Sequence, residues 1–403
     1  MYLFELGRIK KLSLAELNNL FGEENLVEII DHFAIYNLET LHKEPQDLQD
    51  KLGGTIKIAE IVDHFTSKTK DPKKKIESSL KTILTDHFKD RSGKIPFALT
   101  AVNVPDNPKV FLKQFLSFSK KTIKSLGFNS RFVNKPWQNA TTAQISKSGS
   151  VQKGIDLTIL GGKATLYIAK TLSIQNINSY SYRDYKKPFR DPKMGMLPPK
   201  LAQIMINLAE PALSGTGAAK EAHTIFDPFC GSGTILMEAL LQRKDAIGSD
   251  IDEKAVEGTL ANLCFVVKNF DNTTEEFAIF HKDAKQIQEK DLTGIPDAIV
   301  TETHLGPPVS KLPKEENLQK TFDALTELHE AWLTNLSPLL KPGTKLVICL
   351  PTFRKFRKEY IRFPHFDQIA KKANLEILNP EPLIYERPDQ VVAREIVVLQ
   401  VKG

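Results

Sequence analysis

Residues 227–234 read Asp-Pro-Phe-Cys-Gly-Ser-Gly-Thr, between the apolar triplet Thr224 to Phe226 and the apolar run Ile235 to Leu241. A short strand, a glycine turn and a helix start are what this order predicts. Gly231 and Gly233 let the backbone turn tightly and come close to a ligand. Beyond the motif, apolar strands alternate with helical stretches: Ala246–Gly248, Ala278–Phe280, Ala298–Val300, Lys345–Leu350, Glu376–Leu378 and Glu395–Val401. With Thr224–Phe226 these make seven strands, and the alternation predicts an α/β, mostly parallel, doubly wound sheet of Rossmann-like type.

The chemistry of the turn separates two classes of nucleotide ligand. A dinucleotide fingerprint needs a third glycine where this chain has Leu236, and a pyrophosphate would be repelled by Asp227. S-adenosylmethionine carries a sulfonium and an ammonium and no phosphate, so a carboxylate at the strand end attracts it. Asp250, 17 residues after Gly233 in Ile-Gly-Ser-Asp-Ile-Asp, is placed to accept both ribose hydroxyls, with Ile251 against the adenine. Asp283, with Ala284 after it, follows the third strand and suits the adenine amino group. A single acid after a strand is often a cap or turn residue. Three acids after successive strands, the first in a Gly-x-Gly loop, argue for a cofactor site formed by Asp227, Phe229, Gly231, Ser232, Gly233, Asp250, Ile251, Asp283 and Ala284.

Charge is distributed unevenly along the 403 residues. The net charge is +6, yet residues 91–200 hold 19 basic residues against four acidic, while 1–90 and 201–403 are net acidic. A segment so positive calls for a polyanion, and nucleic-acid phosphate is the usual one. The stretch Ser-Tyr-Ser-Tyr-Arg-Asp-Tyr-Lys-Lys-Pro-Phe-Arg at 179–190 interleaves tyrosines with cations in a region that reads as loop from 173 to 199. Arg131, Lys135, Arg183, Lys186, Lys187, Arg190 and Lys193 are the expected RNA contacts. Earlier elements read as strand Tyr2–Leu6, a helix from Ser13, helices opening at 71–75 and at Lys109, and strands Lys94–Val104, Ser130–Asn134, Ile155–Leu160 and Thr165–Leu172.

Three cysteines too far apart for a Cys-x-x-Cys pair exclude a zinc ribbon and a disulfide framework. No apolar run of about 18 residues occurs, and the opening residues lack a signal-peptide layout, so no membrane and a cytoplasmic location are expected.

With these residues in view, the chain resembles the THUMP-domain tRNA guanosine-N2 methyltransferases of the guanosine-10 type, in the UPF0020 RNA methylase family. The resemblance rests on FELGRIKKLSLAEL at 4–17, FNSRFVN at 128–134, LYIAKTL at 166–172, SYRDYKKPFRDPKMGMLPPKLAQIMINLA at 181–209, DPFCGSGTILMEAL at 227–240 and RPDQVVAREIVVL at 387–399. It implies a ferredoxin-like domain at 1–65, a THUMP RNA-binding domain at 66–172, a linker at 173–200 and a class I methyltransferase domain at 201–403. It also implies that Leu197 and Pro198 border the methionine end of the cofactor and that tRNA, not DNA, is the partner.

One motif departs. After the fourth strand the family has Asp-Pro-Pro-Tyr, whose acid accepts hydrogen bonds from the exocyclic amine while the tyrosine stacks on the flipped base. Here the sequence is Thr301-Glu302-Thr303-His304-Leu305-Gly306-Pro307-Pro308. Glu302 is then the expected acceptor contact and His304 the expected stacking face. The alternative is a catalytically altered protein that binds tRNA or modifies another RNA site. Neither metal nor covalent intermediate is required, and the sequence leaves an activator subunit open.

Overall fold

The computed structural model describes residues 1–41, 43–88, 94–191, 196–213, 223–271, 273–274, 276–355, 359–387 and 390–403. The chain forms two compact units, one of residues 1–10, 22–50 and 55–177 and the other of 11–21, 51–54 and 178–403.

The first unit is one eight-stranded sheet of β1 (Tyr2–Leu6), β2 (Leu26–Ile30), β3 (Phe33–Tyr36), β4 (Thr55–Thr66), β5 (Lys94–Val102), β6 (Asn129–Phe132), β7 (Ile155–Gly161) and β8 (Thr165–Ile174), in the order β2-β3-β1-β4-β8-β7-β5-β6. The pairing β4–β8 is antiparallel and joins the first strands to the later ones without a break. Helices Pro72–Phe88 and Pro108–Ser125 cover the sheet because their apolar residues fall on one side: Ile76, Leu80, Phe111 and Phe115 pack with Ile95, Phe97 and Leu157. Asn107 caps the second helix by accepting the Lys109 N–H, and Gly127 at φ 91° ends it.

Within this core Lys57 is almost fully buried, with its ammonium 3.4 Å from Asp156, 3.4 Å from Glu5 and 3.1 Å from the Thr158 hydroxyl. Removing one partner of such a group leaves the other charge uncompensated. Lys57→Met is therefore expected to cost about 3–5 kcal/mol, read as a shift of the urea midpoint; a shift below ~1 kcal/mol would rule out the pairing as a fold determinant.

The second unit holds β9 (Thr224–Asp227), β10 (Asp245–Asp250), β11 (Phe277–His281), β12 (Ala298–Glu302), β13 (Lys345–Arg354), β14 (Tyr360–Arg362), β15 (Leu375–Ile377), β16 (Leu383–Tyr385) and β17 (Val392–Val401). Their order is β11-β10-β9-β12-β13-β17-β15, with β14 beside β13 and β16 beside β17. β9 to β13 are parallel and β17 is antiparallel to β13. All seven strands expected from the sequence are present. The two extra ones are three-residue edge pairings, too short to show a period. Apolar residues lie on both faces: Phe226, Ile299, Leu346, Val397 and Trp332 in one cluster, and Leu236, Leu240, Ala246 and Leu263 in another.

Residues 11–21 belong to this unit. Glu16 is buried, and its carboxylate accepts Gly53 N–H (2.9 Å), Gly54 N–H (2.8 Å) and the Asn207 amide (2.7 Å). Burial outweighs these three donors and raises its pKa to about 7.

The segment 173–199, expected as loop, contains the helix Ile177–Tyr185, followed by the helix Pro199–Ala209. The inward side of the first carries an arginine rather than aliphatic residues, so no apolar stripe announces it. Arg183 is buried and forks onto Glu238 at 2.7 and 3.0 Å. Among the described residues no helix is long and apolar enough to cross a membrane.

Candidate active site

Strand order reverses at β9 and β12, and ligands of doubly wound sheets sit beyond the carboxyl ends of the strands at such a point. Asp227 ends β9 and Glu302 ends β12. The Thr301 hydroxyl donates to Asp227 Oδ1 at 2.6 Å, and the Phe229 N–H donates to the same oxygen at 3.1 Å. Burial, with smaller contributions from the charges of Asp250 and Glu302, pushes Asp227 up to about 7 against these two hydrogen bonds.

The glycine turn needs its glycines: Gly231 sits at φ 53° and Gly233 at φ 72°. A side chain on Gly233 would also run into Thr259, whose hydroxyl donates to Gly231 O at 2.9 Å. Asp250 is tied to this turn. One of its oxygens accepts the Gly231 N–H at 2.9 Å and the other accepts the Asp252 N–H at 3.0 Å. Each oxygen keeps a lone pair for an incoming hydroxyl. Ile251 beside it is exposed.

Asn262 holds a strap across the turn. Its amide donates to Ser232 O (2.8 Å) and Phe189 O (3.0 Å), and its carbonyl accepts the Phe189 N–H (2.9 Å). Phe229 is half-buried, edge-on to Trp332 with centroids 5.4 Å apart. Leu197 is buried and Pro198 opens the helix Pro199–Ala209. Asp283 serves as a cap, accepting the Lys285 N–H at 3.0 Å, with Ala284 buried behind it.

Glu302 is half-buried and hydrogen-bonded to Arg394 of β17, which reaches past β13. Burial raises its pKa above the ordinary carboxylate value, while Arg394 and, more weakly, Arg387 pull it back. His304 lies two residues beyond, exposed, ahead of Gly306 at φ 88° and the two prolines. Asp227 and Phe229 thus form one hydrogen-bonded set, which Thr301 joins to the strand that ends in Glu302, while Gly231 and Asp250 form a second on the glycine turn.

Two of the expected RNA contacts are corrected. Arg183 is bound to Glu238 and Lys187 donates to Thr234 Oγ1 at 3.2 Å; both are buried and spend their charge inside the unit. Arg131, Lys135, Lys186 and Arg190 are exposed, Arg190 lying 5.3 Å from the Tyr185 ring centroid. Lys193 lies outside the described residues. Thr301, Asn262, Thr259 and Arg394 were not singled out from the sequence. Arg394 had a signal: a charged pair, Arg394-Glu395, inside the apolar run of β17 must find partners if buried.

The UPF0020 family model, described as an RMKL-like methyltransferase domain, matches residues 183–374, and a model described as a DNA methylase matches 61–262. Over 133 residues the chain is 32% identical to a probable tRNA (guanine(10)-N2)-dimethyltransferase of Methanothermococcus thermolithotrophicus, a match spanning 32% of this chain and 72% of that protein. The chain belongs to the UPF0020 methyltransferase family. This UPF0020 member is also 36% identical over 141 residues to the tRNA (guanine(10)-N2)-dimethyltransferase of Methanothermobacter thermautotrophicus, 35% of this chain and 36% of that protein. The match therefore spans little more than a third of that relative's length. Among solved structures, TrmN from Thermus thermophilus aligns with a TM-score of 0.49 at 16% identity, covering 99% of each chain.

Proposed function

We propose that the chain is a tRNA (guanine-N2) methyltransferase that uses S-adenosylmethionine and acts on the exocyclic amine of guanosine 10. The observation that carries this reading is the pair of carboxylates at the switch point, Asp227 and Glu302, linked through Thr301 and beside Asp250 on the glycine turn. Residues 201–403 are the catalytic domain. Residues 1–65 and 66–172 act as ferredoxin-like and THUMP domains that grip tRNA, 173–200 connects them, and the protein works in the cytoplasm.

The residues fit the cofactor. Asp227 is a buried acid short of compensating charge, which a cation supplies; Asp250 offers an acceptor lone pair on each oxygen for the two ribose hydroxyls. S-adenosylmethionine contributes a methyl group already activated on a sulfonium. Leu197 and Pro198 border its methionine end, Ile251 packs on the adenine, and Asp283 with Ala284 receives the adenine amino group. Glu302, held by Arg394, accepts a hydrogen bond from the guanine amine of an extruded nucleotide, and His304 lies against the base. Arg131, Lys135, Lys186 and Arg190 contact phosphate.

The Glu302–Arg394 pair also favours a second reading, a tRNA-binding protein without transfer, since Arg394 competes with the amine for the carboxylate. Incubating the protein with unmodified tRNA and isotopically labelled cofactor, then analysing nucleosides by mass spectrometry, separates the two. Labelled N2-methylguanosine or N2,N2-dimethylguanosine is expected. Bound tRNA that stays unlabelled would establish the second reading instead.

A further inference from the structure

In the first unit β6 ends at Phe132, and two asparagine side chains continue its pairing with β5. Asn134 accepts the Leu99 N–H at 3.1 Å and donates to Leu99 O at 2.8 Å; Asn139 does the same to Ala101 at 2.9 and 3.1 Å. Asn134 also donates to Gln138 O at 2.8 Å, closing the intervening loop on itself, and the Gln138 N–H donates to Lys135 O at 3.1 Å. This fixed loop holds Trp137 at φ 58°. Bulky side chains rarely adopt that conformation, and it persists only where the surroundings over-determine it, as they do here. The indole is half-buried at the loop's tip rather than packed into the core.

One cation lies over this ring and another over that of Phe132. Lys113 Nζ lies 5.7 Å from the Trp137 ring centroid, and Lys120 Nζ lies 5.1 Å from that of Phe132. Both lysines are exposed on the helix Pro108–Ser125, and Arg131 and Lys135 are exposed on the strand and loop beside them. A rigidly presented aromatic face beside exposed cations is the arrangement that binds unpaired nucleotides: the base stacks, and the cationic groups take the phosphates. Duplex RNA keeps its bases stacked on one another and, away from its two end pairs, offers no face to the indole.

We propose that Trp137 is a stacking platform for an unpaired nucleotide of RNA, with Lys113, Arg131 and Lys135 holding the flanking phosphates. This rests on the reading of the chain as an RNA-binding protein. The chain has two tryptophans, and the other, Trp332, is fully buried, so quenching of fluorescence by RNA reports on Trp137. The full chain is titrated with single-stranded oligouridylate and with a blunt RNA duplex of equal length. Oligouridylate is expected to quench and the duplex not to. Trp137→Ala should weaken oligouridylate binding roughly ten- to hundredfold without changing its salt dependence, whereas Trp137→Phe keeps the affinity within about threefold and loses the quenching. Lys113→Gln should flatten the salt dependence instead. Wild-type affinity in Trp137→Ala, or equal quenching by the duplex, overturns the platform alone. A wild-type chain that binds neither RNA overturns the tRNA reading as well.

Discussion

Arg394→Met is expected to lose about 3–5 kcal/mol of stability and to slow methyl transfer on the order of a hundredfold or more, through one cause. Arg394 is 6% and Glu302 17% exposed, so the pair is largely withdrawn from water. Without the guanidinium the burial that already raises the carboxylate's pKa is opposed only by the weaker pull of Arg387. It then takes up a proton nearer neutral pH and ceases to be a charged acceptor for the amine. Glu302→Gln makes the complementary test. It keeps the shape, loses the charge, and should leave cofactor affinity within about threefold while transfer falls on the order of a hundredfold. The double substitution removes both charges, so it should recover much of the stability and none of the transfer. Urea unfolding and single-turnover transfer to tRNA read the two effects separately. Normal transfer by Arg394→Met would show that Glu302 does not meet the acceptor.

That pair also marks where the sequence stopped being readable. The doubly wound sheet followed from seven apolar segments at helix-separated intervals, and the glycine turn with Asp227 and Asp250 from residue types whose geometry is local. Contacts between segments distant in the chain have no such signature. Nothing adjacent to Glu302 points to Arg394, and nothing in Asn262 tells that one amide bridges Ser232 and Phe189. The same blindness produced the errors at 173–199. Arg183 and Lys187 look like surface cations in a basic stretch, but Glu238 and Thr234, some fifty residues away, draw them inward. Composition reports charge, while only the fold reports whether that charge faces water.

Asp227→Asn is expected to weaken S-adenosylmethionine binding about tenfold or more at pH 8 while making the free protein more stable at that pH. The folded protein holds a proton on Asp227 up to about pH 7, whereas the ordinary value is 3.8. Between those values the native state binds more protons than the unfolded chain, so Asp227 lowers stability as pH rises through the window, by about 4 kcal/mol when complete. Asparagine removes that cost and still accepts from Thr301 and Phe229 through its carbonyl oxygen. Ligand affinity runs the opposite way. A cationic ligand favours the ionised acid, so wild-type affinity should rise with pH, by up to about tenfold per unit, and level off above about pH 7. In Asp227→Asn the profile should be flat. The demethylated product, which lacks the sulfonium charge, should show a shallower slope than the cofactor on the wild-type protein. Calorimetric titrations of both ligands from about pH 5.5 to 8.5, with thermal unfolding of the free protein at each pH, contain the whole test. A flat wild-type profile would mean that Asp227 does not face the cation, and the burial of this acid would then belong to the fold alone.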